Sequence, residues 1–166
     1  MSKTERPWNN PDGFGALLSA TAPLAATMIE NGLIFTFGAM KDSAYDATGL
    51  APPGWVVGAI WTVIYPMWGL ARWRTWNSGP KGPASAAWIT ALIVWGLLYP
   101  LGSLFWATRG SAVANVLSLL LCLVATWRAA KASRTAGWLM GPSVVWLCYA
   151  SYLGWAAVRA MGPVVV

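Results

Sequence analysis

Histidine is absent from the sequence of 166 residues, and charged side chains make up only 10% of it. Soluble domains average about 25% charged residues. Without an imidazole the chain lacks the commonest metal ligand and proton shuttle, so it cannot hold haem or chlorophyll through a histidine. The sequence also lacks paired carboxylates, a phosphate-binding glycine-rich loop and a Gly-x-Ser-x-Gly motif. We therefore expect no metal site, no required cofactor and no enzyme activity.

Apolar residues are correspondingly abundant, at 57% of the sequence, and they fall into five long tracts. Tracts of about 20 apolar residues match the thickness of the bilayer core. The predicted spans cover approximately residues 14–38, 55–71, 84–107, 112–130 and 138–158. No connection between them is long enough for a second domain. The sequence therefore predicts an all-α integral membrane protein in which residues 1–166 form a single bundle of five transmembrane helices.

The net charge of +6 is distributed unevenly between the two ends of the predicted bundle. Eight Lys and Arg residues lie in the N-terminal segment and in the connections on its side, against three on the other side. Positive residues concentrate in cytoplasmic loops, which puts the N-terminus in the cytoplasm and the C-terminus outside. We expect a multi-pass protein of a bacterial inner membrane. The basic excess then indicates contact with anionic lipid and no nucleic-acid partner.

Tryptophan is unusually frequent, with 13 residues, and several of these residues recur at helical spacing. In span two, Trp61, Tyr65, Trp68 and Arg72 follow an i, i+4, i+7, i+11 pattern, which places them on one helix face. Seven tryptophans near the predicted span ends fit the aromatic belts of the membrane interfaces, which is the favoured explanation for them. They are Trp55, Trp73, Trp76, Trp88, Trp106, Trp127 and Trp138.

Other aromatic residues lie well inside their spans. These are Trp61, Tyr65, Trp95, Tyr99, Trp146 and Tyr149. An indole N–H or phenol O–H there needs a polar partner, which lipid tails do not provide. We predict that these side chains face the bundle interior. From the residues alone two interpretations stay open: the rings pack on one another as core, or they surround a flat ligand.

Glu30, with Asn31 beside it, is the only acidic residue inside a predicted span. An ionisable group within a membrane is costly and is a functional candidate by default. We treat the pair as a possible intramembrane polar site. Two alternatives are that Glu30 reaches the outer interface, or that it is protonated against a neighbouring helix.

Proline and glycine mark the start of span two. Pro52 and Pro53 suit the first turn of a helix, where the missing N–H has no helical partner anyway. Gly54 and Gly58 form a GxxxG pair that lets another backbone approach closely. We favour a packing notch inside the bundle over a dimer interface. The loop at residues 40–54, the longest on the outer side, is expected to fold over the mouth of the bundle as a lid.

The run APPGWVVGAIWTVIY at the start of span two resembles the signature of the TspO/MBR family of tryptophan-rich sensory and translocator proteins. The matching residues are Pro52, Pro53, Trp55, Val56, Gly58, Trp61, Thr62 and Tyr65. The GPSVVW run of span five is similar to a second family motif through Pro142 and Trp146, with Ser143 where tyrosine is usual. Span three departs from the family pattern, because it has no Gln, Asn or tryptophan at the positions where the family carries them.

The resemblance implies a five-helix bundle, often dimeric, with a pocket under the loop between helices one and two. Family members bind porphyrins and other flat apolar molecules. Carried over, the pocket would use Trp55, Trp61, Tyr65 and Trp146, while Tyr149 replaces a small residue and would partly fill it. We add Trp95 and Tyr99 to the predicted pocket because both lie well inside span three.

Two functional hypotheses follow. The first is a membrane-embedded binding and regulatory protein that holds a tetrapyrrole or an isoprenoid such as a carotenoid in an aromatic pocket. The second is a structural or accessory subunit without catalytic activity, packed by its aromatic faces against a larger membrane complex such as a photosynthetic assembly. The expected partners are the lipid bilayer, a small apolar ligand, and either a second copy of the chain or that larger complex.

Overall fold

The computed structural model describes residues 7–36 and 48–161. Within these ranges the secondary structure consists of helices joined by short turns and loops, without a strand. A 3-10 turn, Pro7–Asn9, comes first. The α-helices are α1 (Gly13–Thr36), α2 (Gly54–Trp76), α3 (Gly82–Ser103), α4 (Thr108–Ala132) and α5 (Arg134–Ala160). The prediction of an all-helical protein is therefore confirmed, and each helix overlaps one predicted span. Most of the predicted lid loop, up to residue 47, lies outside the described residues.

Three helices, α2, α3 and α4, are long and apolar enough to cross a membrane. Helices α1 and α5 have 24 and 27 residues, which is also sufficient length. Their hydropathy is lower, because α1 includes Glu30 and Asn31 and α5 is rich in Trp and Tyr. The chain is a membrane protein on this evidence, while five complete crossings and the orientation of the termini stay predictions.

Helix α2 is the centre of the bundle and packs against the other four helices. The most extensive pairing joins α4 to α5, followed by α1 with α2 and α3 with α4. Helices α1 and α5 each pack against α2. The aromatic face of α2 is thereby directed at its neighbours.

Small residues allow the helices to approach closely, as is usual for packing within membranes. A Cβ atom on Gly69 of α2 would lie 1.8 Å from the backbone oxygen of Ser19 in α1. Ala125 and Ala129 of α4 and Ala136 of α5 are completely buried. The large rings of Tyr65 and Trp68 lie in the same core as these small residues.

The segment before α1 is fixed to the ends of α2 and α3 by hydrogen bonds. The Arg72 guanidinium donates to Asn9 Oδ1 at 3.0 Å and to Thr90 Oγ1 at 2.9 Å. The Trp73 indole donates to the Asn10 carbonyl at 2.6 Å. The fourth member of the predicted α2 stripe, Arg72, therefore joins three chain segments at the predicted cytoplasmic end.

Candidate functional site

Five aromatic side chains meet between α2 and α5 in what we term the α2–α5 cluster. Its members are Trp61, Tyr65 and Trp68 of α2 with Trp146 and Tyr149 of α5. The i, i+4, i+7 spacing aligns the three α2 rings, whose centroids are 5.3–5.8 Å apart. The Trp61 and Trp146 rings meet edge to face at 6.5 Å, and Trp146 contacts Tyr149 at 5.7 Å. One continuous aromatic surface therefore joins the two helices.

Burial varies along this cluster. Tyr65 and Trp68 are 2% and 1% exposed and belong to the hydrophobic core. Trp61 and Trp146 are only partly buried and pack against that core. The cluster is closed at its buried end and accessible at the end formed by Trp61, Trp146 and Tyr149.

The Tyr149 hydroxyl connects the cluster to the segment that precedes α2. It donates a hydrogen bond to the backbone carbonyl of Leu50, 99 residues away in sequence. Leu50 belongs to the described end of the predicted lid loop. The bond holds this end of the loop against α5, beside the accessible part of the α2–α5 cluster.

Polar groups of α1 lie beside the buried end of the cluster. Thr27 and Glu30 are next to the Tyr65 hydroxyl, and a Cβ on Gly96 of α3 would be 2.9 Å from that oxygen. Both Glu30 carboxyl oxygens and the Trp68 indole nitrogen are buried without a hydrogen-bond partner within residues 7–36 and 48–161. The Glu30 carboxyl group is therefore directed toward the bundle, and its level in the membrane stays a prediction. Asn31, the other member of the predicted polar site, is partly buried.

Trp95 and Tyr99, which were predicted to face the same ligand, form a second group with Trp106 that we term the α3 cluster. The Trp95 and Trp106 rings stack at 6.3 Å with an interplanar angle of 24°, and Tyr99 meets Trp106 edge to face at 5.8 Å. The Trp95 indole donates to Ser118 Oγ of α4 at 2.7 Å. These rings are organised around the end of α3, and their role in ligand binding stays a prediction.

Trp55 is 77% exposed, so it does not share the environment of Trp61 and Tyr65. It lines a groove of about 440 Å³ between α2 and α5. The groove is lined by Trp55, Val56, Ala59, Ile60, Val63, Ile64 and Pro142. Ligand pockets typically measure about 300–1,000 Å³. Ile60 and Ile64 also pack in the core with the aromatic cluster, so the groove and the cluster are adjacent.

The glycine pair of α2 does not form the expected notch inside the bundle. A Cβ on Gly54 or on Gly58 would meet no heavy atom of the described chain within 4 Å. The close approach to α1 occurs about three turns further along α2 on nearly the same face, at Gly69. Among the described residues nothing packs against Gly54 or Gly58, and an interface with another chain stays a prediction.

Sequence reasoning missed several residues that organise the site. Trp68 shares the stripe of Trp61 and Tyr65, so helical spacing was a sufficient signal for it. Leu50 and Ser118 act as hydrogen-bond acceptors through a backbone carbonyl and a hydroxyl. Neither contact has a local sequence signal, because each depends on the packing of distant segments.

Comparison with known proteins identifies a family for this chain. The model of the TspO/MBR family matches residues 20–159, which include α2, α3 and α4 completely. Among curated proteins, none matches the chain closely enough to count as a relative. Because the family match covers most of its length, the chain belongs to the TspO/MBR family.

Proposed function

We propose that the protein is a membrane-embedded binding and regulatory protein for a flat apolar ligand, either a tetrapyrrole or an isoprenoid such as a carotenoid. Membership of the TspO/MBR family supports a ligand-binding or regulatory role in a membrane. The protein works by binding and sequestration, without catalysis. In this proposal all five helices cross the membrane, with the N-terminus in the cytoplasm and a second copy of the chain as the partner.

The observation that carries the proposal is the aromatic surface shared by α2 and α5. Trp61 and Trp146 come from different helices and meet edge to face at 6.5 Å while only partly buried. A flat ligand can stack on such rings, because offset or edge contacts between aromatic systems are favourable. A ligand seated there would pack under the segment that Tyr149 holds through Leu50.

The groove beside α2 supplies a route for an apolar ligand from the bilayer. Trp55 lies at its exposed edge, and its lining is apolar throughout. Ile60 and Ile64 line the groove and also pack with the core that holds the aromatic cluster. Trp55 is assigned to the entrance of the site and Trp61 to its wall.

The alternative, an accessory subunit of a larger membrane complex, is favoured by a different observation. Helix α5 exposes Trp138, Tyr152 and Trp155 at 72%, 60% and 42%. Such residues suit an aromatic packing face, and contiguous exposed apolar surface marks interaction sites. In this alternative the α2–α5 cluster is core, filled by its own rings.

The test is titration of the detergent-purified protein with protoporphyrin and, separately, with a carotenoid, while tryptophan fluorescence is recorded. The proposal predicts saturable quenching at micromolar ligand that weakens in Trp61→Phe and in Trp146→Phe. Quenching that does not saturate would reject it. Purification in mild detergent adds a second criterion: a free dimer agrees with the receptor, whereas constant co-purification with the same membrane proteins agrees with the accessory subunit.

A further inference from the structure

A second cavity, of about 310 Å³, lies at the predicted cytoplasmic end and away from the aromatic cluster. It is bounded by the connection between α2 and α3 and by the last turn of α4. The lining residues are Ser78, Pro80, Lys81, Gly82, Lys131 and Ala132. Two lysines from distant parts of the sequence therefore face one cavity.

Hydrogen bonds and one close backbone contact fix the shape of this cavity. Ser78 donates its hydroxyl to the Thr75 carbonyl at 2.6 Å, and Gly82 donates its N–H to the Gly79 carbonyl at 2.9 Å. Gly79 has a φ of 119°, which favours glycine. A Cβ on Gly82 would lie 2.4 Å from the Thr75 carbonyl oxygen, so the turn closes tightly on the end of α2.

The charge of the cavity comes from its lysines. Within residues 7–36 and 48–161 neither Lys81 nor Lys131 forms a salt bridge, and the acids of these segments are Asp12 and Glu30. The N-terminus of α3 and the C-terminus of α4 meet here with opposing helix dipoles, which largely cancel. Lys131 Nζ lies 4.0 Å from the centre of the Trp127 ring, which restricts its position.

The surroundings of the cavity resemble a membrane interface. The Arg128 guanidinium lies over the Trp127 and Trp88 rings at 5.1 and 5.9 Å. Trp88 and Trp127 are 39% and 52% exposed, and Val124 on the same helix as Trp127 is 37% exposed. Apolar surface for acyl chains thus adjoins cationic groups for a headgroup.

We propose that this cavity binds the phosphate group of an anionic phospholipid, with Lys81 and Lys131 as its cationic ligands. Basic pockets at the cytoplasmic ends of membrane helices bind such headgroups, and lysine binds phosphate as a point charge. A soluble phosphate has the same charged group but no acyl chains. The exposed indoles beside the cavity favour the lipid.

The experiment is native mass spectrometry of the full chain released from nanodiscs of equimolar phosphatidylglycerol and phosphatidylcholine. Wild-type protein is expected to retain phosphatidylglycerol preferentially. The double variant Lys81→Gln with Lys131→Gln is expected to retain it about thirtyfold less, because each lysine near an anionic surface contributes about 1 kcal/mol. The charge-preserving variant Lys81→Arg with Lys131→Arg is expected to keep most of the preference.

Two controls make the result specific to this cavity. Arg109→Gln with Arg159→Gln removes the same charge at the opposite end and is expected to leave phosphatidylglycerol retention unchanged. Equal loss in this control, or unchanged retention in the lysine double variant, would overturn the site. Displacement of the lipid by millimolar inorganic phosphate, as effectively as by added phosphatidylglycerol, would overturn its assignment to a lipid.

Discussion

The α2–α5 cluster and the α3 cluster are built from the same residue types but are organised differently. The α2–α5 cluster joins two helices through Trp61 and Trp146, and its end near Leu50 is accessible. The α3 cluster is confined to α3 and the turn after it, where Trp106 stacks on Trp95. In the α3 cluster the Trp95 indole N–H is paired, because it donates to Ser118 Oγ at 2.7 Å. In the α2–α5 cluster the Trp68 indole N–H has no partner in the described chain.

The difference shows that depth in a membrane span does not by itself define a binding site. Trp95 lies as deep in its span as Trp61, yet its polar atom is satisfied within the fold. A ring surface becomes a candidate site where two helices share it and where one side stays accessible. By this criterion the α2–α5 cluster is the better candidate, and the following predictions test the distinction.

The largest expected effect is on stability, from removal of the ring at the buried end of the α2–α5 cluster. Trp68 is 1% exposed, so Trp68→Ala leaves a cavity and is expected to lower the free energy of unfolding by about 3–5 kcal/mol. Denaturation of the protein in mixed micelles measures this change. Trp106→Ala serves as the control and is expected to cost clearly less, since Trp106 is only partly buried. Equal losses would mean that the two clusters contribute alike to the core.

A smaller effect on stability is expected from loss of the hydrogen bond that anchors the α3 cluster. Ser118→Ala removes the acceptor of the Trp95 indole and is expected to cost about 1–3 kcal/mol in unfolding free energy, because a half-buried donor loses its partner. Ligand affinity should not change. Ser103→Ala, at an exposed hydroxyl, is the matched control. Weaker porphyrin binding in Ser118→Ala would show that the α3 cluster takes part in the site.

Glu30 provides a test at the buried end of the α2–α5 cluster. Glu30→Gln keeps the shape of the side chain and removes a carboxyl group whose oxygens lack partners in the described segments. We expect the free energy of unfolding to rise by about 1–2 kcal/mol, since burial of an uncompensated ionisable group is costly. Asp12→Asn is the control, because it removes the same charge at an exposed position. It should change the free energy of unfolding little. Wild-type stability and wild-type binding in Glu30→Gln would remove Glu30 from the site.

The smallest effect concerns the segment that Tyr149 holds. Tyr149→Phe removes the hydrogen bond to the Leu50 carbonyl. The free energy of local opening of this segment is expected to fall by about 1 kcal/mol. Amide hydrogen exchange at residues 48–51 should then accelerate about fivefold, with the helices unchanged. Tyr152→Phe, at an exposed phenol on the same helix, controls for loss of a hydroxyl. Unchanged exchange in Tyr149→Phe would mean that other contacts hold the segment.

Much of the fold could be predicted from the sequence, because long apolar tracts and helical periodicity are local signals. The alignment of Trp61, Tyr65 and Trp68 on one face followed directly from their spacing. The family was also recognisable from the run at residues 51–65, and the family match confirms it. These features depend on residues close together in the chain.

The partners across helices could not be predicted in the same way. The GxxxG pair at Gly54 and Gly58 was expected to pack inside the bundle, but the close approach uses Gly69 and Ser19. Trp95 and Trp61 lie at similar depth, but Trp95 stacks on Trp106 and bonds Ser118 of α4, whereas Trp61 meets Trp146 of α5. Such pairings depend on how helices rotate about their axes and on where along their length they approach, which the hydrophobic pattern of an almost uniformly apolar helix does not specify.

The most direct measurement of the central claim compares protoporphyrin affinity between variants of the two clusters. The absorbance change of the porphyrin gives the dissociation constant, so the loss of a fluorescent tryptophan does not affect the result. The account predicts that Trp61→Phe and Trp146→Phe each weaken binding about threefold to tenfold, while Trp95→Phe and Trp106→Phe leave it unchanged. Equal weakening by both pairs, or by the α3 pair alone, would contradict the assignment of the ligand to the α2–α5 cluster.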